Sequence, residues 1–365
     1  MNNNTTSGLL RPIAFFMVSV LLVCTFGFTV DGWQINNNAS EGIIYDEFSH
    51  IQDVVGGTEE NSDENNAPKI PDYTNYLTGL ETTEELSKTK PISILMNSNT
   101  ANYGISNADI ICEIPTEEET TRFLAIISNT EGLWKIGSIA NGRGYISNIS
   151  KFFGTTIVCD KYEDNTKYEQ CDVSKETLDI SNYPNSFYKE YDLYSFTNTD
   201  MLSSALLSSL PDLSSNPKAP YLFNDFGNET ILYDNKTSKI SITYSNISNT
   251  ELLYDEQSST YTLIKNGIEK TDALNGKKLD FTNCFVLFAD STTYDNVLGT
   301  RLVMNTIGSG DGYYFTNGTM TKIKWSSDIE GNLNFTDING TPLTVNRGQS
   351  YISYVKSSAI NNVKY

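Results

Sequence analysis

Residues 108–128 read ADIICEIPTEEETTRFLAIIS, two apolar runs, Ala108–Ile114 and Thr121–Ser128, on either side of a polar turn at Pro115–Glu119. Each run is too short for a helix, is rich in β-branched residues and is bounded by a turn signal, so the pair reads as two neighbouring strands. The same texture recurs at Ile92–Met96, Lys135–Ile139 and Thr155–Cys159. Between the last two, Ile146, Ile149 and Phe153 recur at helical spacing over Gly144–Phe153, and a second helix is expected after Thr199 as N-cap, through Leu207. Pro211–Pro220 is a Ser/Pro/Asn stretch without periodicity, where a first domain would end. From Tyr221 onward helical spacing disappears. Ile240, Ile242 and Tyr244 alternate, as do Tyr261 and Leu263, and the dipeptide Asn-Gly occurs at 266–267, 275–276, 317–318 and 339–340, each marking a hairpin turn. The expected fold class is α+β: a mixed sheet-and-helix layered domain over residues 72–215, then a mostly antiparallel β domain over residues 221–365.

Upstream, the 18-residue apolar run Ile13–Val30 reaches about 27 Å as a helix, close to the hydrocarbon thickness of a bilayer. Arg11 precedes it, while residues 31–72 hold ten acidic side chains against Lys69 alone, which orients the amino terminus to the cytoplasm. Residues 1–30 are therefore expected to anchor the chain in the membrane, with the folded part outside the cytoplasm. The other readings are a cleaved signal segment, with Thr25-Phe26-Gly27 as its exit, and lipidation at Cys24, where Val23 stands in place of the small residue such sites prefer. Residues 31–71, rich in Asn, Glu and Gly, read as a flexible, disordered acidic spacer.

Forty-five acidic against 25 basic residues give a formal charge of -20, which disfavours nucleic acid as a partner. Five cysteines, one inside the apolar run, exclude a dense disulfide framework. Cys112, Cys159 and Cys284 lie in apolar runs, and Cys159 with Cys171 is the pair near enough in sequence to bridge a short loop. The lone histidine, His50, falls in the spacer, so triads and zinc sites built on imidazole have no place in the folded part. No metal or cofactor motif appears. Asp328–Asn332 and Asp337–Gly340 carry oxygens at alternate positions, yet a calcium loop from Asp328 would need Glu where Asn339 stands. Gly308–Gly312 lacks the Lys-Ser/Thr and helix of a phosphate loop and reads as a strand connection.

An ordered series of segments resembles the YerB-like lipoproteins of Gram-positive bacteria. It runs through Leu77-Thr78-Gly79-Leu80, Lys90–Asn97, Ala108–Glu113, Thr120–Ala125, Lys135-Ile136-Gly137 and Arg143, then Asp272, Asn283, Gly308-Ser309-Gly310, Trp325, Asp337–Gly340 and Gly348. The resemblance covers roughly residues 72–356 and implies an envelope protein with an α+β first domain and no established activity. Where family members have Gly-Pro-x-Arg-Ser-Ala-Arg-Pro, this chain has Gly137–Gly144 with Arg143 alone, and Asp160-Lys161-Tyr162-Glu163 replaces a histidine-containing stretch.

The chemistry left to test is Glu113, Arg122 and Arg143. Glu113 sits near the end of one strand, Arg122 near the start of the next, and Arg143 opens a helix, so the three are candidates to converge as a ligand-binding site gripping a carboxylate or phosphate. Against this stands a structural Glu113–Arg122 ion pair with Arg143 at the surface, and Glu117-Glu118-Glu119 as a solvated turn. The expected function is a membrane-anchored binding or scaffold module for a cell-wall polymer, peptide or envelope protein, suited by 22 tyrosines that offer aromatic-polar surface. The alternative is an envelope hydrolase using carboxylates around Glu113.

Overall fold

The computed structural model describes residues 69–365 except 118, 163–176, 192, 210–218, 229 and 297–298. The apolar run, Cys24, the spacer, His50 and Cys171 lie outside the described residues. Among those described, no helix is long and apolar enough to cross a membrane.

The described chain is mostly β-sheet with few helices. One sheet of fourteen strands runs through it. Strand Ile110–Pro115 pairs antiparallel with Thr121–Ile127, which pairs antiparallel with Ile92–Asn97, as the opening stretch requires. The other side of Ile110–Pro115 is taken by Ser350–Lys356, running parallel, and that strand lies parallel to Asn283–Ala289 as well. The sheet is thus continuous between residues before 215 and residues after 221, because a strand from far down the chain inserts between the two sets.

Alternation assigns the faces. Ile111, Phe123, Ala125, Cys284, Val286 and Tyr351 pack on one side, against a six-stranded sheet built on Lys239–Ser245, Ser248–Asp255 and Thr260–Lys265. Cys112, Leu124, Ile126, Phe285 and Ile352 pack on the other, against helix Gly144–Phe152 through Tyr145, Ile146 and Ile149. With both faces covered, Ile110–Pro115 and Thr121–Ile127 are buried at every residue, which is why they read as unbroken apolar runs rather than alternating ones.

Helix Gly144–Phe152 lies where its spacing predicts. The second predicted helix spans Thr199–Ser209, but its cap is one residue earlier: Asn198 Oδ1 accepts from Met201 N at 2.9 Å. The Thr199 hydroxyl instead donates to Thr130 O. A short helix, Glu84–Lys88, capped by Thr83, has no apolar face, and hydrophobic spacing could not reveal it.

Two of the four Asn-Gly pairs form the predicted turn. Asn266 and Gly267 have φ of 51° and 77°, and Asn317 and Gly318 have 47° and 65°, each closing a tight hairpin. At 275–276 and 339–340 only the glycine is left-handed. There a preceding aspartate organises the turn: Asp272 Oδ1 accepts from Leu274 N at 2.8 Å, and Asp337 Oδ1 from Asn339 N at 2.8 Å and Thr341 N at 2.9 Å. Asp328 is likewise occupied by Asn332, so these oxygens hold turns. Gly308–Gly312 is not a connection but the start of a nine-residue strand, and Gly310 is glycine because Trp325 crosses it. A Cβ there would lie 2.4 Å from Phe288 O and 2.6 Å from Trp325 Nε1.

Gly318→Val is expected to lower stability by more than about 2 kcal/mol. The left-handed backbone costs a β-branched residue roughly 1–2 kcal/mol, and a Cβ would sit 2.7 Å from Tyr254 Cε1. A melting midpoint unchanged from wild type would show that the turn and its aromatic lid do not form.

Candidate functional site

Glu113 is 0% exposed and faces the six-stranded sheet. Its partner is Lys265, with Nζ 2.5 Å from Oε1, and its remaining lone pairs accept from Thr121 Oγ1 at 2.6 Å, Thr250 Oγ1 at 2.7 Å and the Tyr351 hydroxyl. Burial pushes the carboxyl pKa up, but the Lys265 charge and these hydroxyls outweigh it and hold the group below the usual carboxylate range. Lys265 also donates to Ser248 Oγ at 2.9 Å. Five strands, three of them from beyond residue 247, are tied at this carboxylate, and no part of the residue is exposed to solvent.

The Glu113–Arg122 ion pair is therefore not formed. In the register, Phe123 lies opposite Glu113 and Ile114 opposite Arg122, so the two side chains leave the sheet on opposite faces. Arg122 shares the face of Leu124 and the helix, and donates to Asn97 Oδ1 at 3.1 Å. Arg143 flanks the start of helix 144–152, as predicted, but it is 3% exposed and not at the surface. Its guanidinium donates to Gly142 O at 2.9 Å and pairs with Glu117. Of the three expected residues, then, Arg122 and Arg143 lie on the helix side of the sheet and Glu113 lies on the other side.

Glu117 overturns the picture of a wholly solvated acidic turn. Its side chain is 6% exposed, and Oε1 binds Arg143 and stands 3.7 Å from Arg301 Nε. Burial alone would raise its pKa; the Arg143 bond and charge, with Arg301 behind them, draw it below the usual range. Glu119, two residues on, is exposed with φ of 56° and ends the turn. Removing Arg143 would strand Glu117, so Arg143→Ala is expected to cost about 3 kcal/mol, as for one partner of a buried ion pair. A surface arginine would cost less than about 0.5 kcal/mol, and urea denaturation separates the two outcomes.

Glu117 lines a cleft of about 320 Å³, at the lower end of the roughly 300–1,000 Å³ typical of small-molecule sites. Its walls are residues 115–117, 119 and 120 of the turn, the hairpin end 243–246, residues 293, 300 and 302, and residues 355, 356 and 359 after the inserted strand. Ser245 Oγ donates to Glu119 O at 2.6 Å, locking two walls together. Tyr244 stands between the cleft, which it lines, and Glu113, whose charge, after burial, raises the phenol pKa. Across the same six-stranded sheet Lys270 donates to Ser98 O at 3.0 Å and Thr100 O at 2.6 Å, and burial draws its ammonium down to about 8.

Sequence reasoning missed Lys265, Glu117, Arg301 and Lys270. For Lys265 a signal existed: Tyr261, Leu263 and Lys265 follow one period-2 face, so an inward lysine demanded a buried carboxylate. Arg301 carries no local signal, because its partner is 184 residues away, at Glu117 (301 − 117 = 184). Among the described residues, no group of three or more His, Cys, Asp or Glu side chains could hold a metal ion. Cys112, Cys159 and Cys284 are buried free thiols, each with burial pushing its pKa up.

Comparison with known proteins gives a consistent result. Residues 77–209 match the N-terminal domain, and residues 240–352 the C-terminal domain, of a protein of unknown function, DUF3048. The chain is 31% identical over 85 residues to the protein named "Putative lipoprotein YerB" of Bacillus subtilis, an alignment covering 22% of this chain and 25% of that relative. The crystal structure of Bacillus subtilis YerB superposes with a TM-score of 0.68 at 21% identity, over 80% of this chain and 98% of that one.

Proposed function

Because the chain belongs to the YerB-like family, we propose that it is a membrane-anchored extracytoplasmic protein of the cell envelope that works as a binding or scaffold module through the cleft above Glu117. The observation that carries this reading is the construction of the cleft. Four segments spread from residue 115 to residue 359 form its walls; the Arg143–Glu117 ion pair holds the turn from outside the cleft, and the Ser245–Glu119 hydrogen bond joins two walls before any ligand arrives. Residues 13–30 would hold the protein in the membrane, and the acidic stretch behind them would give reach into the envelope. The relative's name speaks of a lipoprotein, which supports the location and keeps Cys24 as a candidate lipidation site. A carboxylate-based hydrolase centred on Glu113 gains nothing from the geometry, since that group is enclosed and ion-paired.

The test is photo-crosslinking with the full-length protein in intact cells. Benzoylphenylalanine at Asn246, exposed on the cleft wall, should yield a discrete adduct with envelope material, and the same group at Lys322, exposed elsewhere, should not. Equal labelling from both positions, or none from Asn246, would remove the cleft as a binding site.

A further inference from the structure

A second cleft, of about 320 Å³, shares no lining residue with the one above Glu117 and is built around Arg347. The short parallel pairing of Leu222–Phe223 with Thr344–Val345 brings residues 224–226 beside Asn346 and Arg347, and Asn224 N donates to Val345 O at 2.9 Å. The guanidinium carbon lies 3.6 Å from the Phe226 ring centroid and 5.7 Å from that of Phe223, and Nη1 donates to Gly79 O. Position 79 requires glycine here: its φ is 68°, and a Cβ would stand 2.7 Å from the Phe223 ring and 2.9 Å from Nη1. Nε is buried without an acceptor and lies out of a ligand's reach. Nη2 has no acceptor either, yet it keeps accessible surface on a half-buried side chain that lines the cleft.

The other charged residue lining this cleft is Asp225, which is exposed and whose Oδ2 accepts from Asn228 Nδ2 at 3.5 Å. It forms no ion pair with Arg347, but its charge is felt there: burial draws the guanidinium pKa down and Asp225 pushes it up. Behind the lining Ser258, Asp255 accepts from that hydroxyl at 3.1 Å and adds a second carboxylate. We propose that this cleft binds a neutral α-amino acid as its zwitterion, with the carboxylate on Arg347 Nη2 and the ammonium at Asp225. A lone anion would gain the guanidinium but face both aspartates, and a lone cation would face the guanidinium. A zwitterion meets each group with the opposite charge. Stacking on Phe226 fixes the plane of the guanidinium before a carboxylate arrives, and Thr282, Ser258 and Asn224 leave polar wall for the rest of the molecule. The volume lies at the lower end of small-molecule sites, which suits a single amino acid.

The probes are the neutral α-amino acids, each titrated calorimetrically into the full chain in maltoside micelles. At least one should bind, and its amide and its N-acetyl derivative, each lacking one of the two charges, should bind about tenfold or more weakly. Arg347→Lys keeps the charge but loses the planar fork and should weaken binding by a similar factor, about tenfold. Should that variant melt at a much lower temperature because the Gly79 contact is lost, the decision passes to Asp225→Asn, whose exposed side chain can change without disturbing the fold and whose affinity should also fall. Glu131→Gln, on an exposed loop outside the cleft, should bind as wild type does. Binding of none of the amino acids, equal binding of the amide or the N-acetyl derivative, or full affinity in Asp225→Asn would overturn the site. Preference for phosphoethanolamine over every amino acid would overturn the ligand class in favour of a lipid headgroup.

Discussion

Replacing Asp272 with Ala is expected to lower stability by about 3 to 4 kcal/mol, among the largest effects of any single change in this chain. Asp272 is fully buried, and its carboxylate accepts from Gly104 N at 3.0 Å, Ser106 N at 2.8 Å, Ser106 Oγ at 2.7 Å and Leu274 N at 2.8 Å. Each donor left unmade costs about 1–3 kcal/mol, and water entering the space left by the carboxylate recovers part of the sum. Three of the four bonds fasten a loop near the start of the folded chain to a turn 166 to 168 residues later, and the fourth closes that turn on itself. Urea denaturation at constant m-value would measure the loss. A decrease below about 1 kcal/mol would show that the loop 104–106 finds other acceptors.

Lys265→Met should cost about 3 to 5 kcal/mol at neutral pH, because it leaves Glu113 charged and enclosed. Its pH dependence identifies the cause. In the wild type the Glu113 pKa is lowered on folding, so its contribution is present above the unfolded carboxylate value and is lost as pH falls through the folded one. Without Lys265, burial dominates and the pKa rises instead. Protonation then relieves the variant, and the gap between variant and wild type should narrow as the pH falls from about 7 to 4. The double variant Glu113→Gln with Lys265→Met should recover part of the loss. A gap that stays constant with pH would assign the cost to packing of the lysine stem.

The local architecture was legible, and the reason is physical. Strands 92–97, 110–115 and 121–127 announce themselves because both faces are apolar, and Asn266-Gly267 and Asn317-Gly318 because few dipeptides tolerate two left-handed residues. Helix 144–152 shows itself by a stripe of Ile146 and Ile149. What could not be read was partnership across distance. Nothing in Ser350–Lys356 says that it will lie parallel to Ile110–Pro115, and that single pairing decides which groups surround Glu113. Strand adjacency alone suggests Arg122 as its partner, but Arg122 is one residue out of register with Glu113, and that offset sends the two side chains to opposite faces. Glu117 looked like one of three equivalent acids in a turn. Only the approach of Arg143 and Arg301 distinguishes it.

The inserted strand also has a consequence for the order in which the protein comes into being. A chain made from its amino end has Ile110–Pro115 and Thr121–Ile127 in hand early, yet the far side of Ile110–Pro115 stays bare until Ser350–Lys356 emerges some 240 residues later (350 − 110 = 240). Until then the nascent protein carries an uncovered apolar edge, the kind of surface that invites aggregation and holdase chaperones. Contacts of such long separation also make the final closure slow. Any product ending before residue 350 lacks the strand that joins the two sets, and Glu113 lacks Tyr351. Premature termination should therefore yield material that proteases clear rather than a functional fragment, and the sheet itself certifies that synthesis has passed that point.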